Sequence, residues 1–384
     1  MLTDGYVAFI VALGSTAVVL VGYTYAGYPM VLWLVGRMRR RTEPFGFEPG
    51  AWPTVSIILP VHNEEQAIER KLRNTLEQDY PAGRAEIHVV SDGSRDRTES
   101  LAATFADRGV RLHVLRERSG KAAALNLGLR HANGEIVVFT DATIELEGSA
   151  LRALVARFAD PRIGCVSGED FIPGGGGEGA YGRYELMLRN LESAVHSIVG
   201  ASGCFYGQRR ALCAPFEHGM APDFLSVLSV VDQGYRAVTE PTARGVMRAV
   251  PSIEHEFQRK VRTVLRGITT LVARRRMLDP TRSGVFALEL WSHKLLRWLV
   301  PAFLLVTLVC TAALWRMPLF RALLTIQVVL YLAAFVGWLA ADSFGTRAVF
   351  RIPFFFCLVN IASLVAWVKF ASGDRLEIWE PSRR

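Results

Sequence analysis

Three apolar runs in this sequence break off into polar residues of kinds that bind and move charge. "TVSIILP" (54–60) gives way to the stretch Pro60–Glu64, "EIHVVSD" (86–92) to Ser91–Ser94, and "EIVVFTD" (135–141) to Asp141–Thr143. Taken singly, an acid at a strand end is an ordinary cap for the next turn or helix. Three such ends are harder to assign to capping, because the carboxyl ends of adjacent parallel strands form one mouth where ligands bind. Further on, Asp223 opens the apolar run 224–230, and "EFQRKVRTVLRG" sets Arg259, Lys260, Arg262 and Arg266 on one expected helix. As structure alone, the first is a helix-start acid favoured by the macrodipole. The second is a solvated or lipid-headgroup face.

The elements that must position these groups follow from the spacing of apolar residues. Helices are expected at Glu64–Glu77, where Ile68, Leu72 and Leu76 recur every four residues, at Arg97–Asp107 and at Lys121–His131. Strands alternating with helices of this length imply right-handed βαβ units and a parallel sheet. The four glycines at 174–177 match neither GxxxxGK[ST] nor GxGxxG, so they read as a hinge and not a phosphate cradle. The helix after them carries Leu186, Leu188, Leu191, Val195 and Ile198 on broad apolar faces, and reads as core or membrane-facing rather than catalytic.

The chain has 384 residues, 51% hydrophobic and 21% charged. That is too apolar for an ordinary soluble enzyme and too charged for membrane spans alone. The apolar residues concentrate at the ends. Tyr6–Leu34 is long enough to cross a bilayer, and Leu299–Trp315, Ala322–Ala341 and Val349–Phe370 form three later stretches. "GRMRRR" after the first span, with Arg274, Arg275, Arg276, Lys294 and Arg297 before the second, places the intervening segment in the cytoplasm by the positive-inside rule. The net charge of +8 then reads as adhesion to anionic membrane lipids. No nucleic-acid-binding motif accompanies it. The five cysteines form no CxxC, so reduced structural thiols are expected and a zinc site is not.

In order along the chain, "SIILPVHNEEQAI", "VVSDGSRDRT", "SGKAAALNLGL", "VVFTDAT", "GASGCFYGQRRAL", "PDFLSVLSVVDQGYR", "EFQRKVR", "SHKLLRWLVP" and "WEPSRR" resemble membrane-integrated family 2 glycosyltransferases. That group includes the cellulose, hyaluronan and poly-N-acetylglucosamine synthases. The resemblance implies an α/β fold of GT-A type, with a Rossmann-like, mostly parallel sheet, one N-terminal transmembrane helix and about three C-terminal ones. The implied boundaries are a first span at 1–36, a cytoplasmic catalytic domain at 37–284, an interfacial amphipathic helix at 285–298 and a C-terminal membrane region at 299–384.

It also implies a nucleotide-sugar donor, a UDP-sugar among the options, and Mg²⁺ or Mn²⁺ as the cofactor. Pro60, Glu64, Asp92, Lys121 and Asp141 match the donor-binding positions. Asp141 is the first acid of the DxD-type motif, and Thr143 stands at its third position as the second metal-side residue. Asp223 matches the general base, and Arg262 the arginine of a QxxRW-type motif that balances the diphosphate. Thr143 replaces a carboxylate, Pro222–Asp223 replaces an acid pair, and Arg259 and Thr263 replace the glutamine and tryptophan of QxxRW. The expected function is inverting transfer to a polysaccharide or exopolysaccharide at the cytoplasmic face of the inner membrane. Transfer to polyprenyl phosphate or a lipid-linked saccharide is the alternative, and a non-catalytic membrane scaffold the third reading.

Overall fold

Val55–Val61 (β1) is buried along its whole length, because a central strand presents both faces to other layers. Ile58 packs with Val90, Val137, Phe139 and Leu125 on one side. Its neighbours Ile57 and Leu59 join Val89, Val138 and Leu72 on the other. That alternation is the period-2 geometry of a strand. The computed structural model describes residues 4–38, 51–171, 177–247, 252–340 and 348–374.

Seven more strands complete one sheet: β2 (Ala85–Asp92), β3 (Val110–Leu115), β4 (Ile136–Thr140), β5 (Ile144–Leu146), β6 (Ile163–Phe171), β7 (Phe205–Arg209) and β8 (Arg236–Met247). Their order is β3-β2-β1-β4-β7-β6-β8-β5. The first four are mutually parallel. β7 runs antiparallel between β4 and β6, β8 is parallel to β6, and β5 closes the far edge antiparallel to β8. This is the mixed, Rossmann-like sheet of a GT-A fold. The three strands read from sequence lie within one residue of their observed ends. β3 and β5–β8 were not anticipated; β3, an edge strand, interrupts its apolar pattern with Arg111 and His113.

The connecting helices are α2 (Ile68–Leu76), α3 (Thr98–Ala103), α4 (Lys121–His131) and α5 (Ala150–Ala156). α4 has the expected ends. α2 starts four residues later than expected, because the loop before it is pinned by other partners. Asn63 adopts φ 53°, the Glu64 N–H donates to Thr98 Oγ1 at 2.8 Å, and the Glu65 N–H donates to Asp96 Oδ2 at 3.1 Å.

Beyond the parallel half come α6 (Gly177–Val195), α7 (Pro222–Asp232) and α8 (Ile253–Ala273). Most of the glycine run at 174–177 lies outside the described residues. α8 buries Val261, Val264, Leu265, Ile268 and Leu271 along one stripe, and Ser252 caps it by accepting the His255 N–H.

Among the described residues, four helices are long and apolar enough to cross a membrane: α1 (Asp4–Met38), α9 (Val285–Ala313), α10 (Pro318–Leu339) and α11 (Ala348–Ala371). No break separates 285–298 from the span after it. The chain passes through a π-helical turn at Trp291–Leu295 and continues as one helix. α1 carries a matching π turn at Tyr23–Gly27, and the Tyr23 and Ser292 hydroxyls of the two turns meet at 2.8 Å.

Candidate active site

The carboxyl end of β2 delivers Asp92 into backbone amides. Its Oδ1 accepts the Ser119 N–H at 2.6 Å and its Oδ2 the Gly120 N–H at 2.9 Å, while its carbonyl meets His62 Nδ1 at 2.6 Å. The side chain is buried. Gly93, at φ +63°, makes the close approach possible: a Cβ there would lie 2.7 Å from the Arg118 nitrogen. Asp92 thereby fixes the loop that enters α4, and α4 begins with Lys121. The Lys121 ammonium donates to Asp141 Oδ1 at 2.6 Å and to the Gly203 carbonyl at 3.3 Å. Burial pulls the ammonium pKa down, and Asp141, with Cys204 and Asp223, more than restores it, to above the ordinary lysine value.

A cleft of about 400 Å³ opens at these strand ends. Pro60, Lys121, Asp141, Asp223 and Arg262 all line it, so five of the residues singled out from sequence come together. Glu64 and Asp92 are not among its lining residues. Glu64 is pushed up to about 7 by burial and then by the charges of Asp141 and Asp96. Asp223, in the first turn of α7, is raised by burial against the opposing pull of Lys294 and Lys121. Arg259, Lys260 and Arg266 line the cleft beside Arg262, so this face of α8 meets the site and not lipid headgroups. Burial and then Arg262 bring Arg266 down to about 10, with Asp223 opposing.

Thr143 does not reach the cleft. It lines a separate recess of about 100 Å³ with Lys71 and Asn74. The buried Lys71 donates to the Ile144 carbonyl at 2.9 Å, and β5 starts there, so side chains after Asp141 alternate away from it. Among the described residues no three His, Cys, Asp or Glu side chains converge on a closed metal site. What remains is Asp141, with Glu64 close enough to be perturbed by its charge. That donor set fits Mg²⁺ or Mn²⁺ held by one or two carboxylates and completed by phosphate oxygens.

Sequence reasoning missed the other wall. α6 was read as non-catalytic, yet Glu185, Leu186 and Arg189 line the cleft, as do His293, Lys294 and Trp298 of α9. Glu185 Oε1 pairs with Arg297 at 2.6 Å, and His293 bridges Glu185 at 3.2 Å and Glu192 at 2.6 Å. The Tyr28 hydroxyl of α1 donates to the same Glu192 at 2.8 Å. Lys294 and Arg297, counted from sequence as positive-inside flanks, thus face protein. The signal was present in "SHKLLRW", a cluster of charges inside an apolar helix, which marks function by its cost.

Residues 56–212 match the model of glycosyl transferase family 2. Over that segment the chain is similar to family 2 glycosyltransferases. Over 121 residues it is 34% identical to a beta-monoglucosyldiacylglycerol synthase of Trichormus variabilis, covering 30% of this chain and 26% of that protein. Over 159 residues it is 36% identical to an undecaprenyl-phosphate 4-deoxy-4-formamido-L-arabinose transferase of Pseudomonas aeruginosa, covering 40% and 44%. The chain thus spans less than half the length of these curated relatives. Among solved structures, mannosyltransferase PcManGT from Pyrobaculum calidifontis, in complex with GDP-Man and Mn²⁺, superposes with a TM-score of 0.71 at 27% identity. That match covers 92% of this chain and 99% of the other, so the likeness runs well beyond the segment that matches family 2.

Proposed function

We propose that this protein is an inverting glycosyltransferase that moves a sugar from a nucleotide-sugar donor to a hydroxyl of a lipid-linked acceptor at the membrane surface. The observation that carries this reading is a groove of about 630 Å³ between α9, α10 and α11, lined by residues such as Pro301, Leu304, Phe335, Trp338 and Leu358. A channel for a growing polysaccharide needs polar walls, whereas this groove suits hydrocarbon. It adjoins the cleft. Ile253, Glu254 and Phe257 of α8 line the groove and Arg259, Lys260 and Arg262 line the cleft, while α11 gives Leu358 to one and Val359 to the other. An acceptor lying along α8 would have its chain among the spans and its head group beside Asp223. The names of the two curated relatives, which act on a glycerolipid and an undecaprenyl phosphate, favour a lipid acceptor over the polysaccharide first expected.

In this mechanism Asp223 accepts the proton of the attacking hydroxyl as the new glycosidic C–O bond forms. The bond from the anomeric carbon to the donor phosphate breaks on the opposite face, and the nucleoside diphosphate leaves. A carboxylate raised by burial suits a general base, since its proton affinity moves toward neutrality. An ionised phosphate acceptor would need no base, which is why we assign a hydroxyl. Lys121 and Arg262 offset the charge growing on the diphosphate. Asp141 would hold the divalent metal, which when bound neutralises the phosphate oxygens. Asp92 shapes the nucleotide pocket by fixing the loop at 119–120. The catalytic domain would lie on the cytoplasmic side, with Arg274, Arg275 and Arg276 toward anionic lipids.

The test uses the purified full chain with radiolabelled UDP- and GDP-sugars, Mn²⁺ and a membrane lipid extract. Label in the organic phase is the expected result. Label in insoluble polymer would restore the polysaccharide reading, and no turnover of any donor would leave a scaffold.

A further inference from the structure

Lys294 has no role in the chemistry above, yet it is placed with care. It sits in the π-helical turn of α9 between two residues whose charges are already matched: His293 to Glu192 and Glu185, and Arg297 to Glu185. A π turn inserts an extra residue and re-aims the side chains around it, often at functional sites. Here it sends His293 toward α6 and Lys294 toward the loop at Gly200. A Cβ at Gly200 would lie 3.3 Å from the Lys294 ammonium, so glycine leaves space for it. The ammonium approaches the Phe224 ring at 5.5 Å. Among the described residues it makes no hydrogen bond and no ion pair. Arg189 lines the cleft as well. Its Nη1 is buried without a hydrogen-bond partner, 3.8 Å from an Asp170 oxygen.

We propose that Lys294 and Arg189 form an anion subsite that takes the phosphate of the acceptor lipid beside Asp223. This rests on the lipid-linked reading above. Lys294 feels Glu185, Glu192 and Asp223 without bonding any of them, and Arg189 meets Asp170 only at 3.8 Å with its buried Nη1 unbonded. Buried donors left short of acceptors at a protein–membrane junction are costly unless an anion completes them. Both lie close enough to Asp223 to act on its charge. The loop 200–203 sets the spacing. Lys294 stands over Gly200, Lys121 bonds the Gly203 carbonyl, and Asp223 packs 3.9 Å from where a Gly203 Cβ would be. Three residues reach at most about 10 Å. A donor diphosphate at Lys121 and an acceptor phosphate at Lys294 would therefore flank the reacting sugar, with the base between them. The two cations come from α6 and α9, not from the elements that carry Lys121 and Arg262, so the subsite can be altered without touching the donor side.

The test is calorimetry on the full chain in detergent, with UDP or GDP and Mn²⁺ bound first. Farnesyl diphosphate, farnesol and inorganic pyrophosphate are then titrated separately. Farnesyl diphosphate should bind more tightly than either of the others. Lys294→Ala should weaken it at least tenfold while leaving nucleotide affinity unchanged, and Lys294→Arg should restore it. Arg189→Gln should weaken it in the same direction. Pyrophosphate binding as tightly as farnesyl diphosphate would overturn the lipid assignment. Loss of nucleotide affinity in Lys294→Ala would move the residue to the donor site, and unchanged farnesyl diphosphate binding would remove the subsite. Lys294-dependent binding in a protein that turns over no nucleotide sugar would sink the proposed activity and leave the subsite standing.

Discussion

On the side of the cleft that we assign to the donor, polar groups are held by backbone. On the side that we assign to the acceptor, side chains hold side chains. Asp92 is fixed by the amides of residues 119 and 120, and Lys121 reaches a carbonyl as well as Asp141. Across the cleft, Glu185, Glu192, His293, Arg297 and Tyr28 pair with one another from three separate helices. Backbone scaffolding suits a ligand whose diphosphate is the same whatever sugar it carries. A side-chain network on membrane helices can be retuned for different acceptors without disturbing the sheet.

Mutations should break the two sides differently. The largest effect is expected from Asp141→Ala, which should drop transfer to background, as should chelation of the wild type, with little change in melting temperature. A melting scan alongside a transfer assay checks both. Asp223→Asn should lower acceptor turnover on the order of a hundredfold to ten-thousandfold with nucleotide-sugar affinity retained. In wild type, kcat should fall as pH falls through the Asp223 pKa, at a pH above the ordinary carboxylate range because burial raises it. A pH–rate profile lacking that limb would argue against the base. Asp92→Asn should weaken nucleotide binding about tenfold, since exchanging the charge loses a bond worth about 1.5–3 kcal/mol. Calorimetry with the free nucleotide reads it directly.

The smallest effect concerns Glu64. Its folded pKa of about 7 lies above the unfolded value of 4.5, so the folded state binds its proton more tightly. Stability is then greatest below the unfolded pKa and declines as pH rises toward 7. Without divalent metal, Glu64→Gln should melt higher than wild type at pH 8, by about 2–4 °C for each kcal/mol relieved. The difference should vanish toward pH 4.5. Equal melting at both pH values would contradict the carboxylate repulsion.

The same division decides what could be read from sequence. Donor-side groups lie at the ends of short apolar runs, where one local pattern gives both strand and strand-end acid. β1, β2, β4 and α4 were legible for that reason, and Pro60, Lys121 and Asp141 with them. Thr143 lies two residues from Asp141 yet faces another recess, because Lys71 and the start of β5 turn it away. The acceptor side depends on residues far apart in the chain, such as Glu185 and Arg297 or Tyr28 and Glu192. Hydropathy reported only that α6 was apolar and that Lys294 and Arg297 were basic near a span. It could not say that a carboxylate from α6 would meet them.

The paired π turns of α1 and α9 bear on the order in which this protein is made. α1 leaves the ribosome before the helices it pairs with, and its Tyr23 and Tyr28 must wait for Ser292 and Glu192, the former separated from Tyr23 by 269 residues. Synthesis at about 5–20 residues per second makes that delay on the order of ten seconds or more. During it, α1 would stay in the bilayer with its polar ring unsatisfied or borrowed by lipid and water. The Tyr28–Glu192 bond can form as soon as α6 is made, whereas the Tyr23–Ser292 and His293–Glu192 contacts wait for α9. Chains stopped before residue 285 should therefore be membrane-bound yet more open to protease on the α9 side of the cleft than the full chain.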